Sequence, residues 1–299
     1  MESSTGVLSL FRLFFSFSLV LYVSASALAQ PASPESSIDP VHWAYAAYFG
    51  TGRYALSGDS DTYVLGVTPG WEIRDPVLSE DGQRTLGIRL RVPVAIGSHQ
   101  FSPDVAIDEL ALDDVNTISI VPGVEIEIPM TERWTLKTLT YLGYGSEPGN
   151  GSSADVYWVG MRSRYAFEPG KTRISLVNGI TRLGYSSNSG ESSKAMPLLS
   201  GLQFRRQLEQ KKLGDEPVFL NWHVSYTRYL EDLGVDLPGL TDNSINVSSE
   251  WELGLAFSKG DTRLKLWRLS WDRVGIAYRF DSGGSFSGVS IYFASLFDR

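Results

Sequence analysis

The residues of this chain best able to do chemistry come in pairs spaced two apart. His223-Val224-Ser225 puts an imidazole and a hydroxyl on one side of an extended backbone, where successive side chains alternate between faces. A serine nucleophile needs such a base within hydrogen-bond reach and a third group to orient it. The same spacing recurs among charges: Arg89 and Arg91, Glu125 and Glu127, Arg162 and Arg164, Glu250 and Glu252. Charges in that pattern pair across neighbouring strands or line a polar channel. Two acidic stretches stand apart, one holding Asp104, Asp108, Glu109, Asp113 and Asp114, the other Glu231, Asp232, Asp236 and Asp242. Their oxygens suit Ca²⁺, but the spacing matches no EF-hand loop, so both read as solvated loops.

Strands must position these pairs. From Asn116 to Ile128, the residues Ile118, Ile120, Pro122, Val124, Ile126 and Ile128 share one face, and Ser119, Val121, Gly123, Glu125 and Glu127 the other. Similar period-2 runs follow one another with no helical pattern between them: about twelve in all, each roughly 10 to 14 residues long, against about 5 to 6 for an ordinary globular strand. That length crosses a bilayer at a tilt. Tight turns at Pro129–Glu132, Glu168–Gly170 and Ser258–Asp261 mostly alternate with longer polar loops at 98–115, 146–153, 186–196 and 230–245, the first hairpins breaking the rule with a short Ser57–Asp61 and a long Arg74–Gln83. The expected fold is all-β: a transmembrane antiparallel up-and-down β-barrel, its first strand in the aromatic stretch Trp43 to Tyr54 and its last in Gly288 to Phe297. Pro122 then falls mid-strand on the lipid side, where a bulge would have to accommodate it. The stretch from Arg173 to Tyr185 gives no clear phase.

In such a barrel the polar faces line the lumen. Arg89 and Arg91 are expected to pair with Glu125 and Glu127 on the next strand, and Glu250 and Glu252 with Arg273. Lys137, Arg162, Arg164 and Arg205 share the lower level with Glu72, and Arg279 also faces inward. Together they form either a salt-bridge network filling a narrow barrel or a constriction whose slight positive surplus favours small anions. His223 and Ser225 face the lumen with Asn221 and Thr227. No orienting acid is expected beside them, since Asn243 and Asn246 lie at the loop end of the next strand and Glu250 deeper.

Composition narrows the function classes. The 299 residues contain no cysteine, which excludes disulfides and cysteine metal sites. A net charge of −8 without a basic stripe argues against nucleic-acid binding. No Gly-rich phosphate loop, zinc motif or redox site appears, so no cofactor or metal is expected. Leu10 to Val23 is an apolar run followed by Ala27-Leu28-Ala29, the pattern of a cleaved signal peptide over residues 1–29. A Pro/Ser-rich lead-in covers 30–42, and the barrel takes 43–299.

The stretches WAYAAYFGTGRYAL and YVLGVTPGWEIR, within this organisation, resemble solitary outer-membrane autotransporter-type β-barrel proteins of Gram-negative bacteria. The segment Gly288 to Phe293 resembles the C-terminal signal read by the barrel-assembly machinery, though the chain runs on to Phe297-Asp298-Arg299. The resemblance implies a translocator-like barrel with outer-membrane lipids and lipopolysaccharide as surroundings. With only about a dozen residues between cleavage site and barrel it would carry no passenger, leaving a structural or narrow-pore role. The His-x-Ser spacing of His223 and Ser225 resembles outer-membrane lipid hydrolases such as phospholipase A and the lipid A deacylase, which makes a hydrolase the alternative.

Overall fold

The computed structural model describes residues 48–56, 60–98, 117–147, 152–188, 192–213, 215–235, 245–260, 264–266 and 269–298. The expected signal peptide, lead-in and Trp43 lie outside them, as do the first acidic stretch and Asp236 and Asp242.

Twelve antiparallel strands close on themselves. They are β1 (Gly52–Leu56), β2 (Ser60–Val67, continued by Gly70–Arg74), β3 (Gly87–Arg91 and Val94–Ser98), β4 (Thr117–Ile120 and Gly123–Pro129), β5 (Trp134–Glu147) and β6 (Ser152–Phe167). Then come β7 (Thr172–Ser187), β8 (Pro197–Leu213), β9 (Glu216–Val235), β10 (Ile245–Lys259), β11 (Val274–Phe280) and β12 (Phe286–Tyr292). Each strand pairs with its sequence neighbours. β12 returns to β1 in the register Gly52↔Ser290 through Leu56↔Phe286, which leaves no free edge. The expected barrel and its strand number are therefore observed. Lengths are less even than the sequence pattern implied, from 5 residues in β1 to 20 in β9. Because β1 runs up and β12 down, the chain enters and leaves the barrel at one end, here called the terminal pole.

Alternation along β4 shows how sequence sets the two faces. Ile118, Ile120 and Val124 point outward and are exposed, whereas Ser119, Val121, Glu125 and Glu127 point inward and are buried. Leu65, Trp71, Leu142, Val159, Leu253, Ile276 and Val289 extend the exposed apolar belt around the barrel. So continuous a belt on a closed barrel is a lipid-facing surface.

Pro122 needs no bulge. Between the ladder pairs Tyr144↔Ile120 and Tyr141↔Gly123, each strand has the same number of residues. The ladder simply skips the proline, which has no N–H to give, and Leu142 N–H donates to the Pro122 carbonyl at 3.0 Å. Pro93 and Pro69 interrupt β3 and β2 in the same manner, accepting from Val121 N–H at 2.9 Å and Val92 N–H at 3.0 Å. Three neighbouring strands thus share one proline seam.

Both ends of the barrel differ from expectation. β1 begins only at Gly52. Gly50, at φ 78°, turns the preceding chain inward, and Tyr48 and Phe49 lie inside the lumen. Phe49 packs against Tyr54 and Phe286 with ring centroids 5.3 and 5.7 Å apart, and its carbonyl accepts from Tyr54 Oη at 2.6 Å. At the other end β12 stops at Tyr292, and Ser295, Leu296 and Phe297 are all buried. Three consecutive buried residues cannot belong to a strand with one lipid face. They form a tail folded back into the barrel.

Candidate functional site

The lumen has two halves set by different residue types. Toward the far pole, Tyr54, Val64, Ala95, Val121, Val156, Trp158, Leu183, Tyr185, Tyr229, Val247 and Phe286 point inward and, with Phe49, make an apolar core. Toward the terminal pole the inward residues are charged.

Register builds this charged half. Glu72 lies opposite Arg89, Arg89 opposite Glu125, Glu127 opposite Lys137, and Lys137 opposite Arg162. Arg89 reaches Glu72 at 2.7 Å, Glu125 at 3.6 Å and Glu127 at 3.7 Å. Arg91 reaches Glu125 at 3.2 Å, and Lys137 reaches Glu125 and Glu127 at 3.4 and 3.6 Å. Glu125, 1% exposed, also accepts from Tyr141 Oη at 2.6 Å. Charges so deeply buried are tolerated only when each is compensated.

Five cations at this level, Arg89, Arg91, Lys137, Arg162 and Arg164, meet three carboxylates, and the tail supplies the missing acceptors. Asp298 Oδ1 lies 2.6 Å from Lys137 Nζ and 3.2 Å from Arg89 Nη1, and Asp298 Oδ2 accepts from Ser295 Oγ at 2.6 Å. Arg91 donates to the Asp298 carbonyl, and Arg162 Nη1 to the Leu296 carbonyl at 3.0 Å. Leu296 N–H donates to Gln203 Oε1 at 3.3 Å. The Phe297 ring lies between Lys137 Nζ at 4.3 Å and the Arg164 guanidinium at 4.5 Å, two cation–π contacts. Leu296 and Phe297 pack with Val177 and Leu199. Val177 therefore points inward although it is apolar, and so do Leu183 and Tyr185, which is why the sequence of β7 gave no clear phase. Burial raises the Asp298 carboxyl, which lies beyond the last strand, but Lys137, Arg89 and Arg164 outweigh it and hold the group well below the usual carboxylate range.

A second cluster sits on β9 to β12. Glu252 faces Arg279 in the ladder, and Arg279 Nε donates to Glu252 Oε2 at 2.5 Å while its Nη1 lies 3.8 Å from Glu250. The expected pairing of Glu250 and Glu252 with Arg273 is thus corrected. Arg273 precedes the pair Val274↔Phe257, so it lies toward the terminal pole, 3.1 Å from Asp272 and 3.5 Å from Asn221 Oδ1. Arg205 donates to the Gly260 carbonyl and lies 3.9 Å over the Phe219 ring, at the barrel's terminal rim rather than against the tail.

His223 and Ser225 do point into the lumen, both buried. An acid does lie beside His223, contrary to expectation: its Nε2 is 2.6 Å from Glu252 Oε1, because Ser225 and not His223 is directly opposite Glu252 and the two side chains meet diagonally. Nδ1 of the same ring is 3.4 Å from Tyr292 Oη. Both ring nitrogens are engaged away from Ser225, so the imidazole is tied into the Glu252–Arg279 cluster.

Sequence reasoning missed Gln203, Leu296, Phe297 and Asp298. Two signals pointed to them: a lumen with surplus positive charge, and apolar residues beyond Tyr292 that break period 2. Among the described residues no group of three or more His, Asp or Glu is placed to hold a metal ion.

No family model and no curated protein matches the chain. Among solved structures it is similar to the β domain of the Bordetella autotransporter BrkA, at 13% identity and a TM-score of 0.48, covering 81% of this chain and 94% of that one. It is also similar to the transport unit of the autotransporter AIDA-I from Escherichia coli, at 11% identity and a TM-score of 0.44, covering 82% of this chain and 88% of that one. The outer membrane transporter YddB from Escherichia coli matches at 9% identity and a TM-score of 0.30, covering 79% of this chain and 36% of that one.

Proposed function

We propose that this chain is an outer-membrane β-barrel of translocator-like architecture whose lumen is closed by its own polypeptide, so that it stands in the membrane as a structural barrel and not as an open pore. The observation that carries this reading is double occupancy of the lumen. Tyr48 and Phe49 join the apolar half, and Ser295 to Asp298 occupy the charged half, leaving between them a cavity of about 230 Å³ lined by Arg91, Arg162, Leu296 and Asp298. A closed strand barrel satisfies every backbone group without water, and the apolar belt supplies the lipid contact. Outer-membrane lipids, lipopolysaccharide and the barrel-assembly machinery are the partners this placement implies, and the alternating Gly288 to Phe293 is the segment the machinery would read.

Translocator-like describes the path of the chain. Tyr48 and Phe49, ahead of β1, are turned into the lumen at Gly50. The role is non-enzymatic, since His223 serves as a clamp. Planar-bilayer recording of the purified full chain tests the reading. No steady conductance is expected; stable open channels under ordinary salt and voltage would refute closure.

A further inference from the structure

The tail is held as a ligand is held. Its main chain is read at three points, by Gln203 on the Leu296 N–H, by Arg162 on the Leu296 carbonyl and by Arg91 on the Asp298 carbonyl. Its side chains are read separately. Leu296 packs on Val177 and Leu199 over Gly201, where an added Cβ would fall 2.8 Å from Ser225 Cβ and 2.9 Å from Leu296 Cδ1. Phe297 fills the gap between two cations, and the Asp298 carboxylate takes Lys137 and Arg89. These contacts come from β3, β5, β6, β7 and β8, which with β4 between the first two form a contiguous wall across the lumen from the closing pair β1 and β12.

We propose that this wall is a peptide-binding site whose ligand class is a short turn-forming segment with an aliphatic residue, an aromatic and a carboxylate in succession; in the tail the turn is closed by Asp298 N–H donating to the Ser295 carbonyl at 2.9 Å. Leu296-Phe297-Asp298 is its tethered, exchangeable occupant. Five cations against three wall carboxylates leave a surplus that an incoming acid must satisfy, which explains why the site selects a carboxylate. The tail enters from the terminal pole, so a free peptide has the same route. The proposal concerns the wall alone and holds whether or not the barrel conducts.

The test uses the full chain, whose lack of cysteine makes a single engineered thiol a clean probe. In Ser295→Cys the buried position should be labelled slowly by a maleimide. Adding Asp298→Lys or, separately, Phe297→Ala should release the tail and speed labelling by about tenfold or more. Both changes lie outside the strands, and the gel mobility of the unheated sample verifies that the barrel is folded. The released variants, but not the native chain, should bind a fluorescent peptide of sequence FASLFD. Binding of FASLFN should be about tenfold weaker, and Lys137→Gln in the released background should erase that preference. Fast labelling of Ser295→Cys in the otherwise native chain would overturn the proposal. So would released variants that bind FASLFD no better than FASLFK.

Discussion

Lys137 Nζ and Asp298 Oδ1 lie 2.6 Å apart across a sequence separation of 161 residues, and the pair joins the middle of the barrel wall to the chain beyond the last strand. Lys137 is fully buried and touches Glu125 and Glu127 as well, so one ammonium group compensates three carboxylates. Removing either partner of a buried pair leaves an uncompensated charge, and the cost depends on what remains near it.

Lys137→Met should therefore destabilise the barrel more than Asp298→Asn. The first strands several acids and should cost about 3–5 kcal/mol. The second leaves Lys137 its two glutamates and should cost about 1–3 kcal/mol. Urea titration in detergent micelles, followed by tryptophan fluorescence, gives both values.

Tail docking should depend on pH in one direction only. A carboxyl depressed in the folded state contributes stability that is fully present above its unfolded pKa of about 3.9 and is lost as pH falls through the folded value. The depressed Asp298 should thus hold the tail unchanged from neutral pH to about pH 4 and release it only in stronger acid. A pyridyl disulfide that reacts in acid, applied to Ser295→Cys, reads the release, and Asp298→Asn should flatten the profile.

Leu253, exposed on β10, distinguishes lipid from water. Leu253→Arg should cost about 2–4 kcal/mol when the barrel refolds into vesicles. A water-facing residue would shift stability by no more than about 0.5 kcal/mol. Refolding yield against urea measures the difference.

Gly254 supports the His223 clamp. A Cβ at this position would overlap the imidazole ring, so Gly254→Ala should push His223 from Glu252 and cost about 1–3 kcal/mol. Ser225→Ala, which removes no partner of the imidazole, should leave stability nearly unchanged and should not alter fatty-acid release from phospholipid vesicles. A drop in release would restore a catalytic role for the pair.

Much of this was legible in the residues. Period-2 alternation in Asn116 to Ile128 placed the isoleucines outside and Glu125 and Glu127 inside, because the backbone allows an extended chain no other arrangement. That Arg89 and Arg91 meet Glu125 and Glu127 followed from reading adjacent strands at one depth, but only the register shows that Arg89 is the one directly opposite Glu125. Glu250 and Glu252 were assigned the wrong arginine, since register between β10 and β11 hangs on the exact residue where β11 starts, and the intervening loop does not announce it.

The sequence by itself thus determined the barrel, its approximate number of strands, and which side of most strands meets lipid, with Arg173 to Tyr185 the exception, all consequences of local backbone geometry. Only the tertiary structure decided what fills the lumen. Phe49 reaches the apolar half through one inward turn at Gly50, and Asp298 reaches Lys137 because closure brings the end of β12 opposite β5. Contacts between residues 161 positions apart have no local signature in a chain. They follow from closing the sheet, which turns a surplus of positive side chains on one wall into a site for a carboxylate from the other.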